Sequence, residues 1–313
     1  MGLIYIHESK ICFFCASKNA IKYGKLAGKQ RYKCNDCGKQ FLGGKRIISN
    51  TIWEEYTKGK QSYAQLALKY GCSIRTIQRK IDSVQISKQS HFVSTANVLI
   101  DTTYFGRTFG VMVFKDSISG QILYKQYVKY ETNLLYLEGI KEIARRGISI
   151  QSIICDGRKG LFKLFGEIPV QMCQFHQIQI VTRYLTRKPK SDCAIELRQL
   201  ALQLTYLRKA PFSILLQHWY EKWESYINER TISTAPNTKR KSHYTHKRLR
   251  SAYLSLNRNM SWLFTCEEFQ ELMIPNTTNA IDGVFANLKN KLRNHNGLSL
   301  ARKKKFIDGF FGV

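Results

Sequence analysis

VLIDTTYF (98–105), FGVMVFKD (109–116) and QILYKQYVKY (121–130) follow one another closely and decide the fold class. All three are rich in β-branched and aromatic residues, which pack well on a pleated surface, so each predicts a strand. SISG (117–120) is a turn signal between the second and the third. TNLLYLEGIKEIARRG (132–147) changes period: Leu135, Ile140 and Ile143 recur at helical spacing, and Gly147 supplies a stop. ISIQSIICDG (148–157) predicts a fourth strand and PVQMCQF (169–175) a fifth. The order βββαβ, a helical stretch, β, and then helices is an α/β sheet rather than a sandwich. From His176 to about residue 275 the pattern is mostly helical and basic.

Outward from this sheet, charge narrows the function. The 313 residues carry 50 Lys+Arg against 22 Asp+Glu, a formal charge of +28, with a pI near 9.8. That excess argues against an ordinary metabolic enzyme and for a polyanion, of which nucleic acid is the commonest. Hydrophobic residues make up 43%, enough to form a core and to exclude a disordered basic tail. No run of 18 apolar residues predicts a membrane span. The start, MGLIYIHESK, does not read as a signal peptide, so a cytoplasmic location is expected. Nine Cys without an export signal fit metal binding or buried thiols better than disulfides.

Two further zones precede the sheet. In residues 1–45, Cys12-Phe-Phe-Cys15 is followed, 18 residues on, by Cys34-Asn-Asp-Cys37. Two close thiolate pairs on separate turns supply the four soft ligands of a structural Zn²⁺, leaving no open position for catalysis. Residues 46–90 read as short helices. Ser62-Tyr-Ala-Gln65 has the form of a capping box, and the helix behind it stops at Gly71. Ser73 caps a second helix with Ile74, Ile77 and Ile81 on one face. Arg75, Thr76, Gln78, Arg79 and Lys80 lie on the other, and Arg and Gln are side chains that read base edges in a major groove. A solvated helix in a small bundle would look the same. The neighbouring cysteine motif and the 17 basic against 5 acidic residues of 1–90 favour a DNA-reading helix-turn-helix. A second basic zone, Arg230 to Cys266, has no Asp or Glu; Lys239, Arg240, Lys241, Lys247, Arg248 and Arg250 within it are candidates for holding DNA backbone.

Acids are scarce, so their positions carry information. Asp101 and Asp156 each end an apolar run, where a carboxylate is costly unless it is paired or metal-bound. Adjacent strands would cluster the two, and hard oxygens suit Mg²⁺ or Mn²⁺. Taken singly, each also fits a turn or helix cap, Asp156-Gly157 being a frequent turn pair. A third acid, Asp282, lies in IPNTTNAIDGVFANLKNKLRNHNG (274–297), where Ile281, Phe285, Leu288 and Leu292 form a helical stripe. With Asn279 as N-cap, Asp282 also fits a capping acid.

Together these residues resemble the Mutator-type DDE transposases of bacterial insertion sequences, in the variant with an N-terminal zinc ribbon. The resemblance runs through Asp101-Thr-Thr-Tyr104, then Asp156-Gly-Arg-Lys-Gly-Leu161, then Gln171, Cys173 and His176, and finally Thr277, Thr278, Asn279 and Asp282. It covers about 98–300, and the N-terminal zones extend it to nearly the whole chain. One departure is that the third acid is Asp where the family has Glu, one methylene longer. Glu267, Glu268 and Glu271 are nearby but outside the motif.

The resemblance implies an RNase H-like catalytic domain over 91–313, with a helical insertion at about 177–275. Asp101, Asp156 and Asp282 would be its catalytic metal ligands. It further implies cleavage of element-end DNA to a free 3′-OH, attack of that hydroxyl on target DNA, a homo-oligomer assembled on DNA, and no covalent protein–DNA intermediate. Cys173 and His176 lack a second ligand pair, so a structural or DNA-positioning role is expected rather than zinc. Trp219, Trp223 and Trp262 are expected in the core. A non-catalytic DNA-binding regulator on the same body is the competing reading. A junction or RNA–DNA-hybrid nuclease is a further one, which the duplex-reading N-terminal zones disfavour.

Overall fold

The computed structural model describes residues 10–43, 48–86, 93–232 and 242–312, so Lys239, Arg240 and Lys241 lie outside the described residues. The chain divides into two compact units: Met1–Gln85 with Arg293–Phe306, and Ile86–Leu292 with Ile307–Val313. No helix among the described residues is long and apolar enough to cross a membrane.

The first unit begins with an antiparallel sheet of β1 (Ala20–Leu26), β2 (Lys29–Cys34) and β3 (Gln40–Leu42), in that order. Among the described residues its buried apolar set is Cys12, Cys34 and Phe41, too small a core to hold such a ribbon without a further staple. Three short helices follow, α1 (Ser49–Thr57), α2 (Tyr63–Tyr70) and α3 (Ile74–Asp82). The capping box forms: the Gln65 N–H donates to Ser62 Oγ and the Ser62 N–H to Gln65 Oε1. Gly71 closes α2 in the left-handed region and Ser73 accepts from the Thr76 N–H to open α3. Ile77 and Ile81 are buried as expected, but Ile74 is exposed, because it sits in the first turn beyond the reach of the small core.

Residues 293–306 join this unit, although the sequence reading places them with the sheet. Tyr56 of α1 is the reason. Its buried ring stacks on Tyr63 and is flanked by His295 and Phe306, at ring-centroid distances of 4.9, 4.1 and 5.7 Å. Arg302 adds a two-pronged bond to Asp82.

The second unit is built on a mixed five-stranded sheet of β4 (Thr95–Phe105), β5 (Phe109–Asp116), β6 (Ile122–Val128), β7 (Ser149–Cys155) and β8 (Val170–Met172). Their spatial order is β6-β5-β4-β7-β8. The first three pair antiparallel through short turns, and β7 and β8 add on parallel. The crossover to β7 is α4 (Asn133–Arg145), and a 3₁₀ turn at Phe162–Phe165 leads to β8. The predicted strand and helix order is therefore the observed one.

Beyond the sheet lie α5 (Gln174–Leu185), α6 (Asp192–Leu202), α7 (Lys209–Asn228), α8 (Lys247–Leu263) and the single turn α9 (Thr265–Glu268). A two-stranded hairpin, β9 (Arg230–Ile232) with β10 (Ser242–Tyr244), interrupts what the sequence reads as all-helical. Buried amides tie this layer to the sheet and to itself: Gln171 of β8 and Gln174 of α5 both donate to the Leu263 carbonyl of α8, and Gln177 of α5 to Ser255 Oγ of α8. The tryptophans are structural. Trp219 is buried with its N–H on the Cys193 carbonyl, Trp223 donates to Glu196, and Trp262 packs on Phe162. The last helices are α10 (Asn279–Arg293) and α11 (Leu300–Phe311).

Candidate metal centre

Asp101 sits in the middle of β4, opposite Val113 of β5, and not at the tip of a strand. Thr102 to Phe105 continue the ladder with β5, so the strand runs past the acid. On its other side β4 pairs parallel with β7, Leu99 opposite Ile154, which brings Asp156, just past the end of β7, alongside Asp101. A Cβ at residue 157 would lie 2.3 Å from Cε of the buried Met172, so any larger residue where the chain leaves β7 forces that side chain to move. Arg158 then clamps the loop, donating to the Glu131 carbonyl at 2.9 Å and reaching Asn133 Oδ1 at 3.3 Å.

His176 completes the group from the first turn of α5. Its Nδ1 pairs directly with the Asp156 carboxylate. One ligand atom from each of Asp101, Asp156 and His176 lies within 4.8 Å of the others. The three groups perturb one another strongly. Burial pushes the Asp101 carboxyl up, the Asp156 charge pushes it further, and His176 only partly offsets them, leaving it at about 7. Burial alone would push the His176 imidazolium down, but its hydrogen bonds to Asp156 and Cys173 outweigh that and raise it to about 11. The Asp101 and Asp156 carboxylates offer hard oxygens that suit a divalent cation, and the strain on Asp101 is what such a cation would relieve; His176, held protonated by Asp156, supports that carboxylate and is not itself a ligand.

Asp282 occupies the exposed side of the first turn of α10. Its charge contributes to raising Asp101, yet it is not part of the group within 4.8 Å. α10 begins at Asn279 itself, so Asn279 is its first helical residue and not its cap. Thr278 is occupied elsewhere: its backbone N–H and hydroxyl both donate to Cys173 Sγ, at 3.3 and 3.4 Å. With the Gln174 N–H on the Asn276 carbonyl, this fastens the approach to α10 onto the start of α5. Cys173 and His176 are thus both placed: the sulfur holds the segment leading to Asp282, and the ring holds Asp156. The nearby glutamates are spent on structure. Glu267 accepts from the Lys209 N–H at the start of α7, and Glu268 pairs with the Lys209 ammonium.

The four ribbon cysteines form a second group. Cys12 and Cys37 sulfurs are 3.4 Å apart, Cys15 and Cys34 are 3.5 Å apart, and all four fall within 4.8 Å of one another. Tetrahedral zinc with bonds of about 2.3 Å needs sulfurs about 3.8 Å apart, within that range. Both knuckles turn through a left-handed residue straight after the second cysteine, Ala16 at φ 58° and Gly38 at φ 68°.

The expected DNA-contacting residues divide. Arg75 and Arg79 are exposed one turn apart on α3, while Thr76, Gln78 and Lys80 are half-buried. Lys247 and Arg248 are exposed at the start of α8, Arg248 donating to the Arg183 carbonyl at 2.7 Å. Arg250 is engaged within the fold, over the Tyr244 ring at 4.2 Å and bonded to Asn228.

Neither a protein-family model nor a curated protein sequence matches this chain. Among solved structures, a chain of a simian T-cell lymphotropic virus intasome, determined in complex with PP2A regulatory subunit B56 gamma, aligns at 13% identity. The alignment covers 67% of this chain and 66%, just under two thirds, of that one. Its TM-score is 0.23, too low for the likeness to carry an argument.

Proposed function

We propose that this chain is a DDE-type transposase with an RNase H-like catalytic domain, which binds the ends of an insertion sequence and carries out metal-dependent strand cleavage and strand transfer. The observation that carries the reading is the parallel pairing of β4 with β7, which puts Asp101 and Asp156 in one group with His176. Asp101 and Asp156 hold Mg²⁺ or Mn²⁺, and Asp282 completes the site when DNA and metal draw it in. The bound cations supply charge that activates the attacking oxygen and stabilises the leaving one. His176 orients Asp156, and Cys173 places Asp282 through Thr278. Cys12, Cys15, Cys34 and Cys37 hold a structural Zn²⁺. Arg75 and Arg79 read the element ends, and Lys247 and Arg248 bind DNA backbone. The protein assembles as a homo-oligomer on its double-stranded DNA.

The test is a search of the DNA flanking the gene for inverted repeats, followed by Mn²⁺-dependent nicking of DNA that carries them. Asp101→Asn and Asp156→Asn should each abolish nicking while folding and DNA binding persist; nicking by either variant would refute the assignment. One observation favours a second reading, a DNA-binding regulator on a decayed transposase body: Asp282 lies outside the metal group. Asp282→Glu separates the two. A working enzyme built around Asp loses activity with the longer side chain, whereas a decayed one regains it.

A further inference from the structure

The outward face of α5 is a groove of about 610 Å³ that neither the acidic centre nor the helix-turn-helix uses. It is lined by Phe175, Gln179, Thr182, Arg183 and Arg187, with Ile178 at its floor. The spacing explains the face: residues 175, 179, 182 and 183 recur at i, i+4, i+7 and i+8, while Gln174, Gln177, Ile178, Val181 and Leu185 turn into the core. No acid lines the groove, and among the described residues no carboxylate pairs with Arg183 or Arg187. At the other end, Phe175 is 39% exposed, and its ring meets that of His176 edge-on at 6.4 Å. This places a half-exposed aromatic face directly beside the metal group, where a base could stack on it.

We propose that this groove takes the single strand that continues from the scissile phosphate, with a base stacked on Phe175 and backbone phosphates on Arg183 and Arg187. The inference rests on the nucleic-acid reading of the metal centre. The dimensions suit it. Phe175 and Arg183 are about 12 Å apart by helical rise, room for a short run of nucleotides between a stacked base and the basic end. A stacking platform followed by basic residues is how single strands are held without sequence readout. An aromatic face at one end and guanidiniums at the other match the alternating bases and phosphates of a nucleotide chain.

The test uses the full-length protein in EDTA with two fluorescent probes, a blunt duplex and the same duplex with a single-stranded 3′ tail. Arg183→Ala with Arg187→Ala should lower the salt slope of tailed-probe binding by about 1.4, at about 0.7 per lost single-strand phosphate contact. Phe175→Ala should weaken tailed-probe binding by roughly 5- to 150-fold and leave the blunt duplex unchanged, while Phe175→Tyr retains binding. An unchanged salt slope, or an equal loss on both probes with Phe175→Ala, overturns the groove assignment. Nicking by the unaltered protein is measured in parallel. If it neither binds nor nicks DNA, the proposed function itself fails; if it does both while the groove variants match it, only this inference fails.

Discussion

Asp101→Asn should stabilise the metal-free protein. The Asp101 side chain is 8% exposed, and its carboxyl is raised from an ordinary 3.8 to about 7 by burial and by the Asp156 charge, with His176 opposing. Each pKa unit is worth about 1.36 kcal/mol, which sets a ceiling of about 4 kcal/mol on what the ionised carboxylate costs the fold. The sign follows from linkage. Between pH 3.8 and about 7 the folded state holds a proton that the unfolded state has released, so stability falls as pH rises through that window and then levels off. The variant removes the fall. Its advantage should be small near pH 4 and approach, without exceeding, about 4 kcal/mol at pH 8. Urea unfolding in EDTA, followed by tryptophan fluorescence in a Trp53→Phe background, reads the right unit, because Trp219, Trp223 and Trp262 all belong to it. Mn²⁺ in place of EDTA should then close most of that gap, adding about 2.7 kcal/mol to the unaltered protein at a hundredfold excess over its Kd and nothing comparable to the variant. An Asn variant no more stable than its parent at pH 8 in EDTA would refute the reasoning, since the buried charge would then cost nothing.

Three more outcomes follow from the geometry. The intact protein should carry one Zn²⁺ per chain in the ribbon, and Cys34→Ser should lose it along with the protection of β1 to β3 against proteolysis; an unchanged digest would show that the ribbon does not need metal. Gly157→Ala should cost about 1–3 kcal/mol by overpacking against Met172, and it should impair nicking by displacing Asp156. His295 is held neutral: burial lowers its pKa, and the bond from its Nε2 to the Tyr56 carbonyl only partly opposes this. A depressed histidine contributes stability that is present above its ordinary 6.5 and is lost as pH falls below it, so the protection factors of α1 amides, which remove the intrinsic pH dependence of exchange, should fall below pH 6.5 by up to about 1.36 kcal/mol per pH unit. His295→Gln should flatten that dependence, and an equally steep profile in the variant would assign it to another group.

What the sequence determined by itself is what depends on near neighbours. The five strands and the first crossover helix are legible because side-chain period and turn residues act over a few positions. The capping box at Ser62 and the left-handed stop at Gly71 are local hydrogen-bond chemistry and appear as read. The paired cysteine spacing brings four sulfurs together because each knuckle is a short turn. Tertiary structure alone decided the contacts that span the chain. The Thr278 to Cys173 bonds join residues 105 apart, and the His295 to Tyr56 bond joins residues 239 apart. No local preference specifies such pairs, because they form only where separately folded elements find complementary surface. For that reason the sequence could name Asp101, Asp156 and Asp282 but not their geometry. Sheet pairing joined the first two and set His176 on Asp156, while α10 left Asp282 beside the group, acting on Asp101 through its charge.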